Sequence, residues 1–190
     1  MKVLIVDESM ERARTVQRGL ALAGHECAMH MANAIELPDA VERHKPDVII
    51  IGEDSPTRDT LEHIAITTSG TPRPIVMFVE DDDSAGIRDA LRAGVSAYIV
   101  DGLDASRIKS IVEVAVTRFD EHRKLVAELD ETRMKLADRS AIERAKGILM
   151  KHKGLSEEEA FKSLRSMAMQ KQRRLGEIAT QVIAAAEILG

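Results

Sequence analysis

Arg139-Ser140-Ala141-Ile142-Glu143-Arg144-Ala145-Lys146-Gly147-Ile148-Leu149-Met150, followed closely by Gly154-Leu155-Ser156-Glu157-Glu158-Glu159-Ala160-Phe161, decides how the rest of the chain is read. Ile142, Ala145 and Leu149 recur at steps of three and four, with Met150 beside them, which is one face of a helix. Gly154 suits a left-handed helix end. Ser156 with Glu159 is a capping box, in which each side chain satisfies a backbone N–H where the next helix begins. Ala160, Phe161, Leu164, Ala168 and Met169 form a second apolar stripe, and Leu175, Ile178, Ala179, Val182, Ile183 and Ala186 a third. The segment therefore predicts three short helices with small residues at their crossings, and Met150, Met167 and Met169 filling gaps in the core.

Ala145-Lys146-Gly147 with Leu149-Met150, then Glu158-Glu159-Ala160-Phe161, Leu164-Arg165 and Ala168-Met169, resembles the ANTAR domain in order and spacing across residues 139–190. The resemblance implies a three-helix RNA-binding module of a bacterial transcription antiterminator. Its implied partner is a two-hairpin leader RNA, whose binding keeps a terminator from forming.

Charge agrees in sign. Residues 139–190 carry ten Lys/Arg against six Asp/Glu, so the net −5 of the whole chain leaves −9 on residues 1–138. A basic end on an acidic body fits an anionic partner such as nucleic acid, although solvated helix surface gives the same count. The single cysteine, Cys27, excludes an internal disulfide framework and a cysteine-built metal site. No apolar run is long enough to span a membrane, and Lys2–Val6 is too short for a signal sequence. A cytoplasmic chain that makes no membrane contact is expected.

Upstream, apolar strand runs alternate with amphipathic stretches. Strands are expected at Lys2–Val6, Cys27–Met31, Pro46–Ile51, Pro74–Val79 and Ala97–Val100, with helices at Glu11–Ala23, Leu37–Arg43, Leu61–Thr68 and Ala85–Ala93. Continuously apolar strands separated by helices indicate an α/β fold with a parallel five-stranded sheet covered on both faces. Asp7-Glu8 after the first strand, Pro56 after the third and Gly94 to Tyr98 entering the fifth resemble the receiver (flavodoxin-like) domain of response regulators, over residues 1–120. In that family two acids hold Mg²⁺, a carboxylate ends strand three, a hydroxyl ends strand four and a lysine ends strand five.

Here those last three positions fall on Gly52, Val79 and Asp101. Glycine has no nucleophile for phosphotransfer, and Asp101 would repel phosphoryl oxygens. Asp7 and Glu8 without a third acid make a weak Mg²⁺ site, best read as solvated loop acids, so no cofactor and no enzymatic activity are expected. The acidic run Glu80-Asp81-Asp82-Asp83 reads as an exposed loop ahead of a Ser84 helix cap, or as an electrostatic contact for a partner.

From Ser106 to Met150 no proline interrupts the chain, and a helix of about 60 Å is predicted. Val112, Ala115, Phe119, His122, Val126, Leu129, Arg133 and Leu136 alternate steps of three and four, an imperfect heptad seam. A homodimer through residues 108–136 is expected, with residues 121–138 as a coiled-coil linker and His122 in the seam rather than on a metal.

For RNA contact, Lys146 leads because it adjoins Gly147, where a backbone can approach closely. Arg165 follows, since a guanidinium both stacks and forks. Arg144, Lys171, Arg173 and Arg174 complete the set. With no Trp or Tyr in this region, a broad aromatic stacking platform is excluded. Ser55–Glu62 and Gly94–Leu103 look most like the nitrate- and nitrite-assimilation (NasT-type) members of the ANTAR family, which implies control by a sensor resembling a nitrate-binding protein. Two alternatives stand beside this reading. One is a histidine-kinase-driven regulator phosphorylated on an unusual acid such as Asp54. The other is a DNA-reading helix-turn-helix, which the apolar stretch after Arg174 disfavours.

Overall fold

The computed structural model describes residues 1–70, 72–80 and 84–189, the side chains of residues 188 and 189 excepted. Five short runs of aliphatic residues form the strands β1 (Lys2–Asp7), β2 (Glu26–Met31), β3 (Val48–Gly52), β4 (Ile75–Val79) and β5 (Ala97–Val100). All pair in parallel, in the order β2-β1-β3-β4-β5. The helices between them are α1 (Met10–Leu22), α2 (Leu37–His44), α3 (Arg58–Gly70) and α4 (Ser84–Ala93). Ser84, expected as a cap, is thus the first residue of α4, while Asp81–Asp83 of the acidic run lie outside the described residues.

The two-residue period of a strand explains why these runs are apolar throughout. Leu4, Val6, Ile49, Ile51, Ile75, Met77 and Val79 face Leu37, Val41, Ile64 and Ala90 of α2, α3 and α4. Val3, Ile5, Val48, Ile50, Val76 and Phe78 face α1 through Ala13, Val16 and Leu20. That second face is completed by the start of α5 (Ile108–Lys153), whose Ile108, Val112 and Ala115 are fully buried. Gly19 of α1 makes this contact close, because a Cβ there would stand 2.5 Å from Ile108 Cγ1.

This packing corrects the expected dimer seam. Val112 and Ala115 have no surface to offer a second chain, since the sheet already covers them. The exposed apolar part of the seam comprises Val126, Leu129 and Leu136, at 44%, 49% and 64% exposure, with His122 and Arg133 exposed among them.

The chain divides into two compact units, residues 1–123 and 124–190. Helix α5 runs unbroken through both expected boundaries, at 120 and 138. The first of the three short helices is therefore the last part of α5, followed by α6 (Glu157–Lys171) and α7 (Leu175–Leu189). Ala145 and Leu149 of α5 pack with Ala160, Leu164 and Ala168 of α6 and with Ile178 and Ala179 of α7. Alanine at these crossings lets the backbones approach, and Gly176 does so where a Cβ would stand 2.0 Å from Asp138 Oδ1. The capping box of Ser156 and Glu159 forms, and Gly154 is left-handed at φ 67°. Met167 packs on the core as expected, but Met169 is 72% exposed and Met150 39%. No helix among the described residues is long and apolar enough to cross a membrane.

Candidate nucleic-acid interface and a closed receiver pocket

Register brings Asp7 beside Gly52, and Gly52 beside Phe78, at the carboxyl edge of the sheet. Ligands of open α/β sheets bind there, where the strand order reverses. In this chain the place is taken by Arg12. Ser9 caps α1 and so sets Arg12 in its first turn, within reach of the edge. The Arg12 Nε donates to Asp7 Oδ1 and Oδ2 at 3.2 and 3.1 Å, and its Nη1 donates to Asp54 and, at 3.3 Å, to Glu80. One guanidinium thereby ties the end of β1 to the loops after β3 and β4. Asp7, and after it Asp54, hold the guanidinium's pKa above its already high ordinary value, against the desolvation that opposes them.

Asp7 is 2% exposed, so it is not a solvated loop acid; Glu8 is exposed as expected. The Ser9 backbone N–H also donates to Asp7, at 2.8 Å. Gly52 is what makes room for this carboxylate, since a Cβ at 52 would stand 1.9 Å from Asp7 Oδ2. The residues present do not fit a Mg²⁺ ion. Asp7 already serves a cation, Gly52 offers no oxygen from a side chain, and no group of three His, Cys, Asp or Glu among the described residues is placed to hold a metal. Val79 lies buried in the core. Asp101, left-handed at φ 51°, lines a cavity of about 170 Å³ with Arg12 and Glu80. Next to Gly52 in the chain, Glu53 accepts from the Thr60 hydroxyl at 3.0 Å, while its other oxygen is buried without a partner among the described residues. Burial holds the Glu53 carboxyl above the usual carboxylate range, with the Thr60 hydrogen bond opposing.

In the C-terminal unit the expected contact residues separate by partner. Lys146 is only 8% exposed, and its Nζ lies 2.6 Å from Glu157 and 2.8 Å from Glu143. Hydrogen bonds to Glu143 and then Glu157 hold its pKa above the ordinary lysine value, and Lys146 in turn lowers that of Glu157. It is a tie between α5 and the start of α6 rather than the exposed cation expected from the sequence. Arg144 pairs with Glu187 at 2.7 Å, Arg174 with Glu177 at 3.1 Å, and Arg173 with the same Glu177 at 3.9 Å. These three pairs are exposed, so each is worth about 0–1 kcal/mol and yields readily to a phosphate.

Arg165 and Lys171 are exposed and have no ion pair among the described residues, nor have Lys151, Lys153 and Lys162. Lys153 and Lys162 stand on the walls of an open groove of about 530 Å³, with Ser163 and Ser166 between α5 and α6. Gly147 is exposed and nothing lies within 4 Å of where its Cβ would be. The core therefore gives no reason for a glycine inside a helix. Sequence reasoning missed Arg12, whose partners lie 42 and 68 residues away, and passed over Phe161 and Lys162 on the outer face of α6.

Residues 130–183 match the ANTAR domain family. The Transcriptional regulatory protein PdtaR of Mycobacterium tuberculosis is 29% identical over 182 residues, covering 96% of this chain and 89% of that protein. The Nitrate regulatory protein of Klebsiella oxytoca is 35% identical over 75 residues, covering 40% of this chain and 19% of that protein. The signal receiver domain of a modulated diguanylate cyclase from Desulfovibrio desulfuricans G20 superposes with a TM-score of 0.56 at 20% identity, over 64% of this chain and 97% of that domain, which establishes the fold of the front unit. The chain thus joins a receiver-like fold in front to an ANTAR domain behind.

Proposed function

We propose that the chain is an RNA-binding transcription antiterminator, released by a protein partner rather than by phosphate. The observation that carries RNA binding is the set of exposed cations of the ANTAR unit that have no ion pair among the described residues, Lys151, Lys153, Lys162 and Arg165, of which Lys153 and Lys162 line one groove. Lysine and arginine left free by their own fold suit phosphates, and releasing the counterions of a nucleic acid favours the complex. The substrate in this reading is a two-hairpin leader RNA whose capture keeps a terminator from forming. The exposed seam from Val126 to Leu136 supports a homodimer, which matches two hairpins with two ANTAR units.

The closed pocket supports control without phosphotransfer. Arg12 already provides the cation, and no carboxylate stands at position 52. Asp54, the acid of the kinase-driven alternative, is held by Arg12 as well. The likeness to a nitrate regulatory protein supports nitrate and nitrite assimilation genes as the target and a sensor resembling a nitrate-binding protein as the partner.

Filter binding of two-hairpin RNA at several salt concentrations tests this. Arg165→Ala and Lys162→Ala are each expected to weaken binding across sequences and to reduce the salt slope by about one. Lys146→Ala is expected to lower the melting temperature of the unit, with any affinity loss following from that. Binding unaffected by all three, or equal binding of duplex DNA, overturns the reading. Incubation with a small phosphodonor and Mg²⁺ is expected to leave the intact mass unchanged; a stoichiometric phosphoryl adduct would restore the kinase-driven alternative.

A further inference from the structure

Helix α5 turns its seam to the sheet as far as Ala115, and from His122 onward the seam is exposed. Phe119, Val126 and Arg133 hold the first core position of its heptads, and His122, Leu129 and Leu136 the second. A second chain can run along such a seam in either direction. Parallel, each position meets its own copy, so Arg133 lies against the partner's Arg133 and His122 against the partner's His122. On the flank Arg118 then meets the partner's Arg123, and neither has an ion pair of its own among the described residues. Antiparallel, the first row of one helix faces the second row of the other, and this stretch reads alike from both ends. Phe119 meets the partner's Leu136, Val126 the partner's Leu129, and Arg133 the partner's His122, each contact repeated by the two-fold axis. On that flank Arg123 faces the partner's Asp130. Both are available within their own helix: Arg123 covers the Phe119 ring at 5.7 Å, and Asp130 meets Arg133 at 3.8 Å in an exposed pair.

We propose that a second copy of this chain docks on α5 in the antiparallel direction, centred between Ala127 and Glu128, with Arg123 and Asp130 selecting that direction. The proposal rests on the homodimer reading above and deepens it by fixing how the two copies meet. Apolar burial does not choose, because both directions set apolar residues against apolar ones. Charge does choose. The parallel dimer stacks Arg133 on its own copy and brings Arg118 to the partner's Arg123, and like charges held together across an interface act against it. The antiparallel dimer gives Arg133 an imidazole, which accepts a hydrogen bond as a second guanidinium cannot, and gives Arg123 a carboxylate twice over. At a rise of 1.5 Å per residue, the partner's Ala145 then lies about 50 Å along the coil from Ala145, so the two hairpins of the RNA reading are held apart.

The test uses the full chain carrying Cys27→Ser, which removes its single native thiol. Phe119→Cys is placed on a chain with one affinity tag and Leu136→Cys on a chain with another, and the mixture is oxidised. The expected disulfide joins unlike tags, because positions 119 and 136 of opposite chains share a layer. Two Leu136→Cys chains would hold their thiols about 25 Å apart and cannot bridge. Absence of the mixed product, or a disulfide between like tags, overturns the direction. A second readout leaves the apolar seam untouched. Arg123→Asp sets a carboxylate against the partner's Asp130 and is expected to raise the dimer dissociation constant about 3- to 10-fold in sedimentation, with Asp130→Arg added to it restoring the dimer. In a parallel dimer the same substitution would relieve Arg118 and tighten association, so tightening also overturns the direction. If the wild type sediments as a monomer throughout, the homodimer itself fails; if it is a dimer bridged between like tags, only the direction falls.

Discussion

Arg12 does with one side chain what receiver domains do with a metal ion and a lysine: it neutralises acids gathered at the end of a sheet. Its three carboxylate partners come from β1 and from the loops after β3 and β4, so it also fastens segments distant in sequence. Arg12→Ala would leave the buried Asp7 with the Ser9 N–H as its remaining donor, and a loss of about 1–3 kcal/mol in urea unfolding is expected. An unchanged midpoint would show that the cluster only decorates the pocket. Glu53 carries a second prediction at this scale. Its folded pKa lies above the ordinary value because it is buried, so its protonated form favours folding. That contribution is present below the ordinary carboxylate pKa and is lost as pH rises through the raised one. Glu53→Gln should therefore raise the melting temperature at neutral pH, with the gain shrinking as pH falls towards about 4. A gain independent of pH would assign the effect to packing instead.

Among the elements, α5 carries most of the consequences, since one helix serves two cores. Its first turns complete the sheet's covering through Ile108, Val112 and Ala115, and its last turns supply Ala145 and Leu149 to the ANTAR core. Between these, Leu125, Val126, Leu129, Met134 and Leu136 face solvent. Gly147 is the weak point of the helix, because glycine inside a helix costs about 0.5–1 kcal/mol relative to alanine. With open space around it, Gly147→Ala is expected to stabilise the unit by that amount in thermal unfolding while weakening RNA binding in a filter assay. Stabilisation with undiminished affinity would mean that no backbone approaches there. Helix α6 divides its faces more plainly: Ala160, Leu164 and Ala168 go inward, leaving Phe161, Lys162 and Arg165 outside.

For the molecule as a whole, the division of labour follows from which surfaces the two units leave uncovered. The front unit closes its own pocket, and the rear unit leaves cations and a ring exposed. The solvent-facing residues Val126, Leu129 and Leu136 are the surface that a second chain would cover. Leu129→Glu is expected to shift sedimentation from dimer to monomer and to lower affinity for a two-hairpin RNA by about 10²-fold or more, through lost bivalency, while sparing a single hairpin. A monomeric wild type with full affinity for two hairpins would remove the dimer from the mechanism.

Hydrophobic period and turn residues alone determined the parallel sheet, its helices, the capping box at Ser156 and the long helix, because these depend on neighbours within a few positions. The side chains at the receiver positions, Gly52, Val79 and Asp101, were likewise legible, as they fall at countable strand ends. What occupies the sheet edge beside them was not. Arg12 meets Asp54 and Glu80 only when parallel strands bring distant loops to one edge. The same limit governs the candidate interface: along the chain Lys146 ranked first among the cations, and only tertiary packing decides that it is buried against Glu143 and Glu157, Arg144 paired, and Arg165 without an ion pair among the described residues. Charge is a property of a residue, but its availability depends on which acids the fold places within about 4 Å.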